Sequence, residues 1–231
     1  MTPVTCIIIP AYNEGERIRG LLGQMPGAPG QYIIVCDGDD ATPAVVREFS
    51  AGFPDIDLLC LTYPQRLGKG GAIREGFART AAPLVGYMDA DGSATISQIQ
   101  GLRAGLDSAD AVIGSRWLPA SNIPVRQGIA RQLESRAFNL LARLLFSLPF
   151  SDTQCGAKVF KKAAIDAVIG DMVSTGFEFD VELLWRLSRK GFRIRECPIT
   201  WQNKGASRVK WTDIFRMLSA LIIIRLGGAE R

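Results

Sequence analysis

An α/β fold, with a mostly parallel central sheet flanked by helices and a Rossmann-like N-terminal half, is predicted by three features of the 231-residue chain. Short β-branched runs alternate with amphipathic stretches through the first half. The runs are apolar almost throughout, as strands covered on both faces are. Polar residues capable of chemistry fall just after the runs, at the carboxyl edge where ligands collect in such sheets.

In chain order, strands are expected at 4–9, 32–36, 57–61, 84–88 and 111–113, each bounded by Pro, Gly or Asp. Helical patterns lie between them near 14–24, 42–51, 69–80 and 95–107, with Thr95 a candidate N-cap. Right-handed crossovers through these helices make the strands parallel. The second half loses the alternation. A long helix is expected over about 126–148, its apolar stripe formed by Ile129, Leu133, Ala137, Leu140, Leu141, Leu144 and Leu148, with Arg136 and Arg143 flanking it. A short strand at 158–160, a helix at 178–190, a strand at 192–200 and a final helix from Thr212 follow. No internal repeat or low-complexity linker divides the chain, so one domain over 1–231 is expected.

Composition removes several classes of chemistry. With 47% hydrophobic and 22% charged residues the chain is globular rather than disordered or coiled-coil. It contains no histidine, which rules out a Ser-His-Asp triad, a Cys-His pair, an HExxH zinc site and an imidazole base. Of five cysteines, Cys6, Cys36 and Cys60 sit in apolar strand runs and no CxxC pair occurs, so reduced core thiols and a cytoplasmic, reducing compartment are expected. The longest uncharged apolar stretch, 217–224, is well short of the ~20 residues that span a bilayer.

The net charge of +4 conceals a division. Residues 1–115 carry 8 Lys and Arg against 13 Asp and Glu, net −5; residues 116–231 carry 19 against 10, net +9. The acidic half suits a metal cation and the basic half a phosphate or an anionic surface.

Four constellations stand out. Asp89-Ala90-Asp91 directly follows the apolar run 84–88, and Gly92 permits the chain to turn there. Two carboxylates so placed suit a hard divalent ion, Mg²⁺ or Mn²⁺, bridging to a diphosphate; an Asx turn capping the next helix is the structural alternative. Residues 7–14 end a strand and open a helix: Pro10 breaks the ladder, Tyr12 offers a face for stacking a base, and Glu14 suits a helix N-terminus. The stretch 66–72 places Lys69 among glycines before a helix and offers amides and an ammonium to an anion, although it fails the Walker spacing and a tight turn explains it equally. The basic set is Arg116, Arg126, Arg131, Lys204, Arg208 and Lys210, with Arg116 at the same sheet edge as Asp89 and able to hold a phosphate by two bonds. Nucleic acid is excluded as partner: the basic half has no recognition signature and the acidic half repels a phosphate backbone.

Taken in order, IPAYNE, VCDGDD, RLGKGGAIREGF, YMDADGS, IGSRW, SDTQCGAKVF, GFEFDVELLWR and GASRVKW resemble the inverting family 2 glycosyltransferases of GT-A fold, and within them the dolichyl-phosphate sugar synthases. The resemblance runs from about residue 4 to 211. It implies hexose transfer from a nucleotide sugar to a polyprenyl phosphate with Mg²⁺ or Mn²⁺; the SDTQCG and GFEFD pattern tilts the donor toward UDP-glucose, with GDP-mannose open. It implies nucleoside contacts from Pro10, Tyr12 and Glu14. It also implies an aspartate after the second strand, taken as Asp37 because Cys36-Asp37-Gly38-Asp39 departs from the usual pair of aspartates before the glycine. Asp89 and Asp91 would bind nucleotide and metal, Asp91 as direct ligand. Ser115, Arg116, Arg131 and Arg208 would clamp the acceptor phosphate and donor diphosphate, and Asp152 and Gln154 would line the acceptor side.

A polyprenyl phosphate arrives ionised, so the missing histidine is compatible with this chemistry. An alcohol acceptor would need a carboxylate base, for which Asp152 is the candidate. The helices around 126–148 and 215–226 would lie in a membrane headgroup region, apolar face down and arginines at phosphate level, placing the protein peripherally on the cytoplasmic face; packing on the sheet or on a second subunit is the alternative. Two other functions compete: the same fold acting on a soluble sugar or phosphorylated metabolite, and a non-catalytic nucleotide-sugar-binding scaffold. Nucleotidyltransferases are set aside because their Gly-rich opening is replaced here by Pro-Ala-Tyr-Asn-Glu.

Overall fold

The structure, a computed structural model, describes residues 4–125, 129–202, 204 and 211–227. Seven strands form one sheet: β1 (Thr5–Ala11), β2 (Gln31–Cys36), β3 (Asp57–Thr62), β4 (Leu84–Met88), β5 (Ala111–Ser115), β7 (Ala157–Lys161) and β8 (Ile194–Pro198), in the order β3-β2-β1-β4-β7-β5-β8. All neighbours are parallel except that β7 runs antiparallel to both β4 and β5. The α/β fold with a mostly parallel sheet is therefore as the sequence predicts.

Alternation along the central strands feeds two layers. Ile7, Ile9 and Ala11 of β1 and Tyr32, Ile34 and Cys36 of β2 face one side, with α1 (Ile18–Leu22), α2 (Thr42–Gly52) and α4 (Ile96–Leu102) packed there. Cys6, Ile8, Ile33 and Val35 face the other, under α3 (Gly68–Ala78), α6 (Lys162–Asp166) and α7 (Phe179–Arg189). Each fully buried isoleucine of this kind contributes roughly 1.5–3 kcal/mol. Thr95 caps α4 as expected, its side chain accepting from the Gln98 amide while Gln98 reaches back to the Thr95 amide.

From β1 the chain passes outward to β2 and β3, then returns to β4 on the other side of β1, so a crevice opens beyond the carboxyl ends of β1 and β4. Pro10 lies inside β1 rather than ending it, still in register with Val35; pairing with β4 has stopped at Ile8, so a residue without an N–H sits where one side of the strand is free. Because β7 is antiparallel, the segment entering it, 152–156, reaches this same edge between the ends of β4 and β5.

The expected strand at 192–200 divides at Ile199. β8 stays in the main sheet, and β9 (Thr200–Gln202) pairs with β6 (Asn122–Val125), a strand the sequence reading lacks. This ribbon braces the turn after β4: the Gln202 amide donates to the Ser93 carbonyl at 2.9 Å and Gln98 Nε2 to the Thr200 carbonyl at 2.7 Å.

A third apolar cluster joins α5 (Ile129–Phe146) and α8 (Trp211–Gly227) to the back of α7 through Phe138, Phe146, Leu184, Trp185, Leu221 and Ile224. Arg225 Nε donates to the Leu145 carbonyl and ties the two helices together. Both helices also leave apolar side chains in the open: Leu140, Leu141 and Leu144 on α5, Ile222, Ile223 and Leu226 on α8. No described helix is long and apolar enough to cross a membrane.

Candidate active site

Asp89 and Asp91 emerge directly from β4. Gly92 takes φ +70°, in the left-handed region that glycine enters without penalty, and the turn lets the Ser93 amide donate to Asp91 Oδ1 at 2.9 Å. The Asx turn that the sequence offers as the structural alternative is thus formed. Burial, reinforced by the charge of Asp89, pushes the Asp91 carboxyl above its ordinary range, and the Ser93 amide only partly offsets this. Two carboxylates one residue apart at a strand end suit a nearby cation. Among the described residues no three His, Cys, Asp or Glu side chains form a metal cage. Two carboxylates are the kind of donor set with which proteins hold Mg²⁺, the remaining ligands coming from water and substrate phosphates.

Asp89 lies across the backbone of the neighbouring segment. Its amide donates to the Gly156 carbonyl at 3.1 Å, and a Cβ at Gly156 would stand 1.8 Å from Asp89 Oδ2. The other oxygen, Oδ1, is 3.0 Å from Lys69 Nζ, and Lys69 is equally close, at 3.0 Å, to Asp180 Oδ2. Asp180 Oδ1 in turn accepts from Lys158 Nζ and the Tyr87 hydroxyl. Burial works to lower the Lys69 ammonium, and Asp180 and Asp89 override it, leaving the group well above its ordinary value. Burial likewise works to raise Asp180, but the two lysines hold it at about 2.

Of the two alternatives for 66–72, the tight turn is the one whose contacts are formed. Lys69 engages two carboxylates, and the amides are also committed: those of Leu67 and Gly68 donate to Asp37 Oδ2 at 2.9 and 3.0 Å, those of Gly70 and Gly71 to the Thr175 carbonyl at 2.8 and 3.2 Å. The segment is a tight structural turn opening α3, and Asp37, buried at the end of β2, is what pins it. The Arg66 guanidinium covers one face of the Tyr12 ring at 4.1 Å. Glu14 is buried, with Oε1 bonded to Arg17 and its amide donating to Thr42 Oγ1. Between them Asn13, at φ 54°, sends its side chain to Asp39, and a Cβ on Gly38 would fall 2.0 Å from Asn13 Oδ1.

Across the crevice, β5 ends in the fully buried Ser115 and presents Arg116. Arg116 meets Asp152 in a forked pair, Nε to Oδ2 at 2.7 Å and Nη2 to Oδ1 at 2.9 Å, while its amide also donates to Oδ2 at 3.0 Å. Trp117 and Trp201 each lie 5.7 Å from its guanidinium. Glu196 of β8 accepts from the amides of Ser151 and Asp152, and the Gln154 amide donates to Asp152 Oδ1. Burial works to raise the Asp152 carboxyl, and Arg116 overcomes it and leaves the group below the usual range. The backbone of Arg131 falls in the first turn of α5, with its side chain outside the described residues; Arg126 and Arg208 lie outside them altogether.

Asp180, Lys158, Glu196, Trp117 and Trp201 are absent from the sequence-based set. The first two carry a readable sign: Lys158 within GAKVF and Asp180 within FEFDVELL are charges inside apolar runs, and a buried charge requires a partner.

A model of glycosyl transferase family 2 matches residues 6–169. Glycosyltransferase AglD of Haloferax volcanii is 31% identical over 94% of this chain, which spans only 36% of that protein. Undecaprenyl-phosphate mannosyltransferase of Micrococcus luteus is 32% identical, the match covering 97% of this chain and 94% of the relative. Dolichyl-phosphate beta-glucosyltransferase of Saccharomyces cerevisiae is 28% identical over 95% of this chain and 73% of its own. Among solved structures, glucosyl-3-phosphoglycerate synthase from Mycobacterium tuberculosis, in complex with Mn²⁺ and UDP-glucose, shares the fold with a TM-score of 0.72 over 98% of this chain and 80% of its own, at 17% identity. With one family model accounting for the sheet from β1 through β7 and a relative sharing a third of its residues nearly end to end, the chain belongs to glycosyl transferase family 2.

Proposed function

We propose that the chain transfers a hexose from UDP-glucose or GDP-mannose to a polyprenyl phosphate with inversion at the anomeric carbon. The observation that carries this reading is the facing of two opposite charges at one sheet edge, the Asp89–Asp91 pair after β4 and the Asp152-held Arg116 after β5. The names of the Micrococcus and yeast relatives support the lipid phosphate as acceptor and leave the sugar undecided between mannose and glucose.

In this reading Pro10, Tyr12, Glu14 and Asp37 surround the nucleoside. Arg66 shares the Tyr12 ring, so a base stacks on the opposite face or displaces the guanidinium. Asp91 and Asp89 would hold a divalent ion. When bound, that ion supplies neutralisation of the charge developing on the leaving nucleotide. Arg116 and Gln154, with Arg131 and Arg208, receive the phosphates, whereas Ser115 is fully buried and supports the turn by accepting from the Trp117 amide. A monoester phosphate, with a second pKa near ~6, is already largely dianionic at neutral pH. Its oxygen forms the new bond to the anomeric carbon while the bond to the diphosphate breaks and the electron pair leaves with the nucleotide. No proton has to be removed, so Asp152 serves as the ionised counter-charge that aims Arg116, and catalysis rests on positioning and charge. The open apolar side chains of α5 and α8, with Arg136 and Arg143 nearby, support contact with the surface of the membrane that carries the acceptor.

The donor is assigned by thermal shift with UDP-glucose, UDP-galactose, UDP-GlcNAc and GDP-mannose, each with and without Mn²⁺. One sugar nucleotide should raise the midpoint, and only with the ion present; no shift with any of them would refute the donor site. Gly156→Ala tests the geometry around Asp89. The added methyl has to displace that carboxylate, and a misplacement of ~1 Å costs on the order of 10²-fold in turnover. Unchanged turnover in this variant would show that the position of Asp89 is immaterial.

A further inference from the structure

Four charged side chains of alternating sign run from the dry core to the crevice: Lys158 on β7, Asp180 on α7, Lys69 on α3 and Asp89 after β4. Exposure rises along the series, the side chains being 0%, 2%, 10% and 42% exposed. Lys158 is anchored further by the Cys155 carbonyl at 2.7 Å, and Tyr87 adds its hydroxyl to Asp180. The inner members have no access to a ligand in the crevice, and the outermost is a residue to which the donor site is ascribed.

We infer that Asp180 and Lys158 are positioning residues that act through Lys69 to fix the Asp89 carboxylate for the nucleotide-diphosphate and its divalent ion. The inference rests on the reading of Asp89 as part of the donor site. Lys69 carries its ammonium on a flexible four-carbon stem with three donors, and one carboxylate alone does not set where such a head rests. Asp180 supplies the second acceptor. Its Oδ2 and Asp89 Oδ1 hold the ammonium between them at equal distance, while Lys158 and Tyr87 occupy the other oxygen of Asp180 and stop it from turning. Asp89 therefore has one oxygen assigned to Lys69 and the other directed over Gly156.

The arrangement is hard to explain as a stability device. Buried ion pairs are generally matched or bettered by apolar residues of similar volume, and this one sits among apolar neighbours, with Phe179 and Phe160 packed against Tyr87. It also keeps Lys69 from its nearest alternative, an incoming diphosphate. Without Asp180 the ammonium is free to swing onto the donor and leave Asp89 without its restraint.

The test is calorimetric titration of Mn²⁺ into the full chain saturated with UDP, and separately with GDP, alongside unfolding midpoints. Asp180→Asn should weaken Mn²⁺ binding by about tenfold or more, the loss common when a residue orienting a metal ligand is removed. Should Asp180→Asn fail to fold, the charge-balanced double variant Lys158→Met/Asp180→Leu is expected to fold and show the same weakening. Leu187→Ala, two turns further along α7 in the same core, should lower the midpoint and leave the Mn²⁺ affinity within about twofold. Wild-type affinity in both Asp180 variants, or equal weakening in Leu187→Ala, overturns the inference and leaves the donor-site reading standing. Absence of Mn²⁺ uptake by the wild-type chain with either nucleotide overturns both.

Discussion

Asp91→Ala is expected to reduce sugar transfer by ~10²–10³-fold, the scale seen when a group serving the developing charge of a transition state is lost, while the urea midpoint stays at or slightly above that of the wild type. The two halves of this expectation have separate causes. Asp91 is hydrogen-bonded by the Ser93 amide, and its carboxyl is pushed up by burial and by Asp89, so its charge is already disfavoured in the folded chain. Removing it relieves that cost, and Gly92 and the β6–β9 ribbon still hold the turn. Steady-state turnover and a urea titration on the same preparation check both. Turnover above a tenth of wild type would remove Asp91 from the mechanism, and a large drop in midpoint would recast it as a structural residue.

Asp152→Asn should have the largest effect on stability. The fully buried carboxylate satisfies two guanidinium nitrogens and the backbone amide of Arg116, and its loss leaves that cation in the crevice wall without a counter-charge. Breaking a buried pair from one side costs about 3–5 kcal/mol, a large share of the ~5–15 kcal/mol available to a domain. Replacing both partners, in Arg116→Met/Asp152→Leu, should recover much of that loss while leaving the protein inactive. The pH dependence follows from the direction of the shift. Asp152 is held below the ordinary aspartate value in the folded chain, so it binds a proton more readily when unfolded. Its contribution is complete above about pH 4, the ordinary aspartate value, and is lost as pH falls through the lowered folded value. The unfolding free energy of Asp152→Asn should accordingly fall less steeply below pH 4 than that of the wild type.

Much of this molecule is legible in its sequence because the signals are local. Unbroken apolar runs ending in Asp, Gly or Pro mark β1 to β5, and the carboxylates that follow β4 lie where such runs place them. What the sequence conceals depends on pairing between distant segments. Nothing within 157–161 says that β7 inserts antiparallel between β4 and β5, yet that insertion brings Asp152 to Arg116 and Gly156 to Asp89. β6 and β9 are short, four and three residues, and gain their partners only from each other. Lys69 shows the limit most clearly. A lysine among glycines before a helix reads as an anion cradle, and only α7, more than a hundred residues later, supplies the carboxylate that claims it. The Tyr12 ring is similar, since Arg66 reaches it from the start of a different helix.

In the proposed reaction the acceptor brings its own negative charge, which suits a chain without histidine. The most direct measurement offers the enzyme, with its labelled sugar nucleotide and Mn²⁺, three acceptors under one set of conditions: a polyprenyl phosphate, the corresponding polyprenol and 3-phosphoglycerate. Product is counted in the organic and aqueous phases. The account predicts label in the organic phase with the polyprenyl phosphate alone. Comparable transfer to the free polyprenol, or label confined to the aqueous phase with 3-phosphoglycerate, would contradict it.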